Sequence, residues 1–144
     1  MIEDGIVQLL YAQSGVTSLI GSAGIYPVLL PKDALGPPNP FVALTYQRVS
    51  EVTDNIFEAN PRFNLKRSRF QFDAWGGGIN GYSLARQLKR AVCAALLDFR
   101  GTLPDADSTM VRDVLPDTAM DLFEDGPRYF RKTFDLIVWY LEPR

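Results

Sequence analysis

The chain has 144 residues, of which 47% are hydrophobic, and this size and composition are typical of one domain with an ordinary core. It contains no histidine, which excludes catalytic triads with a histidine base and the commonest zinc sites. The net charge of −2 offers no overall attraction to nucleic acid, and the single cysteine, Cys93, excludes an intrachain disulfide. No apolar run is long enough for a membrane span, and Met1–Asp4 lacks the basic start of a signal peptide.

The N-terminal part predicts helices followed by a proline-rich crossing. Apolar residues share one helical face over Ile2–Gln13, and Val16–Gly21 has the composition of a further helical turn. Gly24–Pro27 is predicted as a brief extended piece. Pro31–Pro40 is predicted as a stiff loop, because each proline fixes its own φ.

Two long strands are predicted next. Phe41–Glu51 and Leu65–Trp75 both alternate with the period of two that a half-buried strand requires. Between them, Val52–Asn64 lacks this alternation and contains turn residues such as Asn60-Pro61, so it predicts a long loop.

One long helix follows the second strand. Gly76–Gly78 allows a sharp turn, Asn80 is a plausible N-cap, and Gly101 stands where a helix would end in a left-handed residue. The intervening apolar residues recur with a period of 3.6 and form one stripe: Leu84, Leu88, Ala91, Val92, Ala95, Leu96 and Phe99.

The C-terminal part completes an α+β fold. Thr102–Ser108 is predicted as a polar loop, Thr109–Leu115 as a short strand, Pro116–Pro127 as an acidic loop and Arg128–Leu141 as the last strand. The order α-β-β-α-β-β predicts a twisted antiparallel four-stranded sheet with helices packed on one face. The core is expected between sheet and long helix, at Leu44, Phe72, Leu88, Val92 and Leu136.

The segment Gly76–Gly81 matches the pattern G-x-G-x-x-G of dinucleotide-binding loops. A helix that starts there would offer free N–H groups to a phosphate. However, the preceding strand is half polar, and no apolar strand ending in an acidic residue follows at the required distance. We therefore favour glycines that serve a tight turn, and we predict no cofactor, so that alanine at Gly78 and Gly81 impairs folding or assembly rather than nucleotide binding.

The polar sheet face carries the residues most suggestive of function. It mixes arginine, threonine and tryptophan, a combination more typical of a protein contact than of catalysis. The alternative is a solvated face with weak cross-strand ion pairs. The candidate subunit-interface residues are Arg67, Arg69, Trp75, Arg131, Asp135 and Trp139.

Other candidate sites are weaker. Asp73 and Asp135 could form a paired-carboxylate site, but neighbouring arginines would keep both ionised. The acidic Pro116–Pro127 region lacks the spacing of a calcium loop, and the basic helix face at Arg86, Lys89 and Arg90 lacks interleaved aromatics for nucleic acid. We predict no catalytic residues, no metal site and no enzymatic activity.

Three segments, taken in order, resemble the tail-completion (tail terminator) proteins of long-tailed bacteriophages. Val16–Ser50 is similar to the family's opening helical turn, I-Y-P piece, proline and first strand. Phe70–Leu97 resembles its F-x-x-D-x-W strand and helix, and Tyr129–Glu142 resembles its closing strand. The resemblance implies one domain over residues 1–144 that forms a hexameric ring, caps the tail tube and offers a surface to the head-tail connector, while DNA passes through the lumen.

The resemblance also implies a virion location in the tail or neck, assembly in the host bacterial cytoplasm, and no membrane. Within this picture we expect Val52–Asn64 to be mobile in the free subunit and to dock on a neighbour or the tail tube through Ile56, Phe57, Arg62 and Phe63. The alternative is that the two phenylalanines fold back under the sheet. Alternative functions are another head-tail neck connector, or a small nucleotide- or nucleic-acid-binding module.

Overall fold

The structure, a computed structural model, describes residues 2–20, 24–29, 42–54, 63–78, 80–124 and 129–143. In chain order the elements are α1 (Ile2–Tyr11), α2 (Ser14–Ile20), β1 (Ile25–Pro27), β2 (Val42–Asp54), β3 (Phe63–Gly77), α3 (Gly81–Leu96), β4 (Gly101–Thr102), β5 (Met110–Glu124) and β6 (Tyr129–Pro143).

All of these strands join one sheet with the order β1-β2-β3-β6-β5-β4. β1 runs parallel to β2, and the other neighbouring strands are antiparallel. Most of the described residues belong to strands, and the sheet curves into a half-barrel. The predicted four-stranded antiparallel sheet with helices packed on one face is therefore wrong. The unpredicted strand β4 spans only 2 residues and β1 only 3, too few to establish an alternating pattern.

The first long hairpin pairs β2 with β3. Because β2 continues to Asp54 and β3 begins at Phe63, the predicted Val52–Asn64 loop is wrong at both ends. A register shift between Arg48 and Ser50 explains the irregular pattern, since a bulge changes the face to which the following residues point. The predicted crossing Pro31–Pro40 lies outside the described residues, as does the middle of the predicted loop.

The second long hairpin pairs β5 with β6. β5 continues to Glu124, so most of Pro116–Pro127 is strand, where a loop was predicted. Here too a register shift, between Pro116 and Ala119, interrupts the alternation. The two hairpins close at opposite ends of the sheet, because the first residue of β3 pairs with Pro143 and the last with Tyr129.

The core lies between α3 and the central strands. Leu88 and Val92 of α3 are 0% exposed, and Leu44, Phe72 and Leu136 from β2, β3 and β6 are at most 1% exposed. All five belong to one apolar cluster, which confirms the predicted core. Burial of each such side chain contributes about 1.5–3 kcal/mol before entropy is counted. The helix phase read from the sequence is therefore correct.

The ends of α3 differ from the prediction. Asn80 precedes the helix but makes no side-chain capping hydrogen bond. The helix ends at Leu96, and Asp98 takes the left-handed conformation with a φ of 62°, whereas Gly101 already lies in β4. Aspartate tolerates this conformation better than most residues because its short side chain can hydrogen-bond locally. No helix in the described part of the chain is long and apolar enough to cross a membrane.

Candidate assembly surface

Alternate residues of β3 and β6 build the face of the sheet that points away from α3, which we call the outer face. Phe70 and Phe72 of β3, and Phe134 and Leu136 of β6, are buried in the core, so the residues between them point outward. The structure thus places all candidate interface residues on this one face: Arg67, Arg69, Trp75, Arg131, Asp135 and Trp139. Their role in a contact between subunits stays a prediction.

An ion pair occupies the middle of the outer face. Arg69 donates from Nε and Nη2 to Oδ2 of Asp135, at 2.9 and 2.6 Å, and approaches Oδ2 of Asp117 at 3.0 Å. Thr118 Oγ1 donates to the same Asp135 oxygen at 3.2 Å. Asp135 raises the pKa of Arg69 through this hydrogen bond. Each group is thus engaged within one subunit, and Asp135 acts as an acceptor that holds Arg69 in place.

Asp73, the other half of the hypothetical carboxylate pair, is also engaged. Thr133 Oγ1 donates to Asp73 Oδ1 at 2.6 Å across the β3–β6 ladder. Asp73 and Asp135 therefore each accept hydrogen bonds from their own neighbours in the sheet.

Two arginine–tryptophan stacks flank the ion pair. The Arg67 guanidinium lies 5.1 Å from the Trp139 ring centre, and that of Arg131 lies 5.0 Å from the Trp75 ring centre. Trp75 Nε1 also donates to Thr45 Oγ1 at 3.0 Å, which ties the indole to β2. The stacks and this hydrogen bond restrain two large aromatic groups on a half-exposed surface. Restrained tryptophan and arginine side chains are the groups most enriched at binding hot spots.

The outer face is bordered by exposed apolar side chains that sequence reasoning missed. Val52 of β2 is 40% exposed, whereas Leu115 and Met120 of β5 are 42% and 61% exposed. They lie opposite Arg67, Ile137 and Thr133 respectively, so they extend the outer face toward both sides. The sequence did not reveal them because Val52 and Met120 lie in segments predicted as loops.

The predicted docking loop is described only in part. Ile56, Phe57 and Arg62 lie outside the described residues. Phe63 is the first residue of β3, is half-buried and pairs with Pro143. Docking through these four residues therefore stays a prediction.

The glycine motif forms a close contact between β3 and α3. A Cβ atom on Gly76 would lie 2.0 Å from the carbonyl oxygen of Gly81, and one on Gly81 would lie 2.8 Å from that of Gly76. Between them, Gly78 has a φ of 90° and its carbonyl accepts a hydrogen bond from the Gly81 N–H at 3.1 Å. These three glycines allow the strand to turn directly into the helix, as the structural interpretation of the motif requires.

The basic face of α3 borders a groove of about 380 Å³. Contrary to the prediction, an aromatic residue lies in it, because Tyr82 is 45% exposed and its ring centre is 4.7 Å from Lys132 Nζ. Asp121 balances the charge of Lys132, because Asp121 Oδ1 accepts a hydrogen bond from Lys132 Nζ at 2.8 Å. Burial raises the pKa of the Cys93 thiol, so this cysteine stays protonated at neutral pH. The groove is lined by Tyr82, Arg86, Lys89, Arg90, Cys93 and Lys132.

The three aspartates of β5 have individual basic partners. Asp113 lies 3.7 Å from Arg100, and Asp117 and Asp121 contact Arg69 and Lys132. Across the described residues no three or more histidine, cysteine, aspartate or glutamate side chains form a group that could hold a metal ion.

Comparison with known proteins gives a likeness of fold. No protein-family model matches the chain, and no curated protein matches it. Among solved structures, the chain is similar to a chain from the virion of native gene transfer agent (GTA) particle, with a TM-score of 0.58 at 16% sequence identity. The match covers 96% of this chain and 92% of that chain, so the likeness of fold extends over nearly the whole chain.

Proposed function

We propose that this chain is a structural subunit of a phage-like virion, and more specifically a tail terminator that forms a ring on the end of the tail tube. The observation that carries the proposal is the fold shared with a chain of the GTA virion over 96% of the sequence. The ordered resemblance of three segments to tail-completion proteins supports the finer assignment. The ring would be a homohexamer that contacts the tail tube protein and the head-tail connector protein, and DNA would pass through its lumen without sequence-specific binding.

The outer face supports a role in assembly. Its arginines, tryptophans and aspartate are pre-organised by contacts within one subunit, so little side-chain entropy is lost when a partner covers them. An exposed ion pair adds about 0–1 kcal/mol to stability, which is a weak reason to maintain such a network in a monomer. We therefore propose Arg67, Arg69, Trp75, Arg131, Asp135 and Trp139 as a contact surface of the assembled subunit.

A structural rather than enzymatic role is part of the same proposal. The G-x-G-x-x-G segment is explained by the close approach of β3 to α3. The carboxylates of the outer face accept hydrogen bonds from neighbouring side chains, and the chain contains no histidine. A nucleotide that bound with micromolar affinity and raised the melting temperature would contradict this part of the proposal.

The particle mass tests the proposed function. The purified chain is measured by light scattering and imaged in negative stain, alone and mixed with tail tubes of the same particle. We expect rings with six times the 16.1 kDa mass of one chain. A single-chain mass under both conditions would overturn the proposal, and rings that bind tube ends would distinguish a terminator from another neck connector.

A pair of charge reversals tests the outer face. Arg67→Glu removes the stack on Trp139, whereas Arg86→Glu makes the same change on α3, away from the outer face. We expect the first variant to lose the ring and the second to keep it, with both folded by circular dichroism. If Arg67→Glu forms rings as readily as the wild type, the outer face is not an assembly surface.

A further inference from the structure

Among the described residues, β2 and β5, the two outermost long strands of the sheet, are only partly covered by other strands. There, β1 covers β2 at Leu44–Tyr46, and β4 covers β5 at Met110 and Val111. Within the described residues, no strand pairs with the outer side of Gln47–Asp54 in β2 or Leu115–Glu124 in β5. We call these stretches the β2 edge and the β5 edge. Long open edges present unpaired backbone N–H and C=O groups, which act as templates for pairing with another chain.

Exposed apolar side chains gather at these edges. Val49 and Val52 on the β2 edge are 47% and 40% exposed, and Leu115 and Met120 on the β5 edge are 42% and 61% exposed. Natural proteins usually protect open edges with charges, proline or bulges, and Pro116 and Asp117 with the bulge beside them do so at the start of the β5 edge. Val52 and Met120 lie beyond the bulges, on a regular stretch of each edge. Apolar groups beside open backbone groups are the pattern expected where another strand is to be added.

The strand directions specify which partner fits. β2, β3, β6 and β5 are successively antiparallel, so β2 and β5 run in opposite directions. A rotation about an axis roughly along the strands preserves strand direction, and it would bring the β5 edge of one copy antiparallel to the β2 edge of the next. Each contact would join two different surfaces, and contacts of this kind generate rings when the rotation closes.

We infer that copies of this chain join through the β5 edge of one subunit and the β2 edge of its neighbour, which makes one continuous sheet around the ring. This inference rests on the proposed ring and identifies its joint, and Arg67 of the outer face lies next to that joint because it pairs with Val52 of the β2 edge. Val52 and Met120 become covered there, at the margins of the outer face, and Val49 and Leu115 lie beside the paired stretches. The half-barrel curvature of the single sheet continues from one copy to the next.

The bulges define where pairing is continuous. The register shifts at Arg48–Ser50 and Pro116–Ala119 lie near the middle of the sheet and leave regular stretches beyond them on each edge. These regular stretches lie toward opposite ends of the sheet, because Ser50, Arg69, Ile137 and Leu115 form one row across it. When these two stretches pair, each subunit is displaced along the strand direction relative to its neighbour. The strands of a closed barrel are displaced in the same way because they are tilted relative to the barrel axis.

Complementation between blocked edges tests this joint. One variant blocks the β2 edge with Val49→Lys and Val52→Lys, and the other blocks the β5 edge with Leu115→Lys and Met120→Lys. Each keeps one open edge, and all four changes are at exposed positions. Under conditions in which the wild type forms rings, we expect each variant alone to have a single-chain mass. A one-to-one mixture should form a particle of two chains, because only one compatible pair of edges remains.

Tyr82→Lys is the matched control, since Tyr82 is equally exposed at 45% but lies on α3. It should still form rings, and denaturant unfolding should show that every variant is folded. Rings from either edge variant would overturn the edge pairing and leave the proposed function standing. A dimer formed by one edge variant alone would show that like edges pair with each other, which would overturn the pairing of the β5 edge with the β2 edge. A mixture of the two variants that stays at single-chain mass would also overturn that pairing. A wild type that never assembles would overturn both proposals.

Discussion

The inner and outer faces of the same two strands, β3 and β6, differ in the interactions that their residues make. On the inner face, Phe72 and Leu136 are 1% exposed and pack against α3. On the outer face, Arg69 is paired with Asp135 and remains 41% exposed at its side chain. The inner face therefore accounts for folding, because burial of apolar area is the larger energy. The outer face contributes little to stability, and we propose that its organisation serves contacts with other subunits.

The largest expected effect is on the inner side, where β3 meets α3. Gly76→Ala places a Cβ atom 2.0 Å from the backbone oxygen of Gly81, which side-chain movement cannot relieve. We expect a loss of more than about 4 kcal/mol or failure to fold, measured by urea unfolding. Gly15→Ala is the control, since its Cβ meets nothing within 4 Å and alanine favours α2 by about 0.5–1 kcal/mol. Equal stability of the two variants would contradict the close contact.

A core truncation sharpens the comparison between the faces. Leu88→Ala removes a fully buried side chain and should cost about 2–5 kcal/mol in the free energy of unfolding. Arg67→Ala, which removes one stack from the outer face, should cost about 1 kcal/mol or less. If the outer-face variant were the more destabilised, the assignment of stability to the inner face would be wrong.

A medium effect is expected in the turn that joins β4 to β5. Asp105 Oδ1 accepts the Thr109 N–H at 2.8 Å, and Oδ2 accepts the Thr109 hydroxyl at 2.6 Å, in a buried setting. Asp105→Ala leaves both donors without this acceptor and should cost about 1–3 kcal/mol. Asp105→Asn keeps one acceptor oxygen and should cost less. Thermal unfolding of the two variants measures which one loses more stability. If Asp105→Asn lost more than Asp105→Ala, the hydrogen bonds to the carboxylate would not be what stabilises this turn.

The smallest effect is a pH dependence at the α3 groove. The hydrogen bond from Lys132 lowers the pKa of Asp121 below its usual range. A carboxyl with a lower pKa in the folded chain contributes stability above its unfolded pKa, and this is lost as the pH falls through the lowered pKa. Asp121→Asn should therefore lower the stability slightly at pH 7 and leave it unchanged at low pH, which flattens the acid side of the stability profile. The loss at pH 7 should be small because the carboxylate is 54% exposed. An unchanged acid limb would show that the pair contributes nothing.

Periodicity by itself determined the inner face. The alternation of β3 and β6 and the 3.6-residue stripe of α3 predicted the buried residues Phe72, Leu88 and Leu136 correctly. These patterns are reliable because the backbone geometry of a strand or helix assigns each side chain to a face before any tertiary contact forms. The same alternation placed all candidate interface residues on one face, although their pairing into stacks and an ion pair depended on the strand register.

Tertiary structure alone decided the extent and edges of the sheet. Val52–Asp54 and Pro116–Glu124 are strands because long partners, β3 and β6, hydrogen-bond to them, whereas the sequence pattern is interrupted by bulges and by Pro116. The same holds for the 2-residue strand β4 and for the contact between Gly76 and Gly81, which join residues from different elements. Local sequence records which way a side chain points, but strand pairing is a property of two segments, and neither segment specifies it without the other.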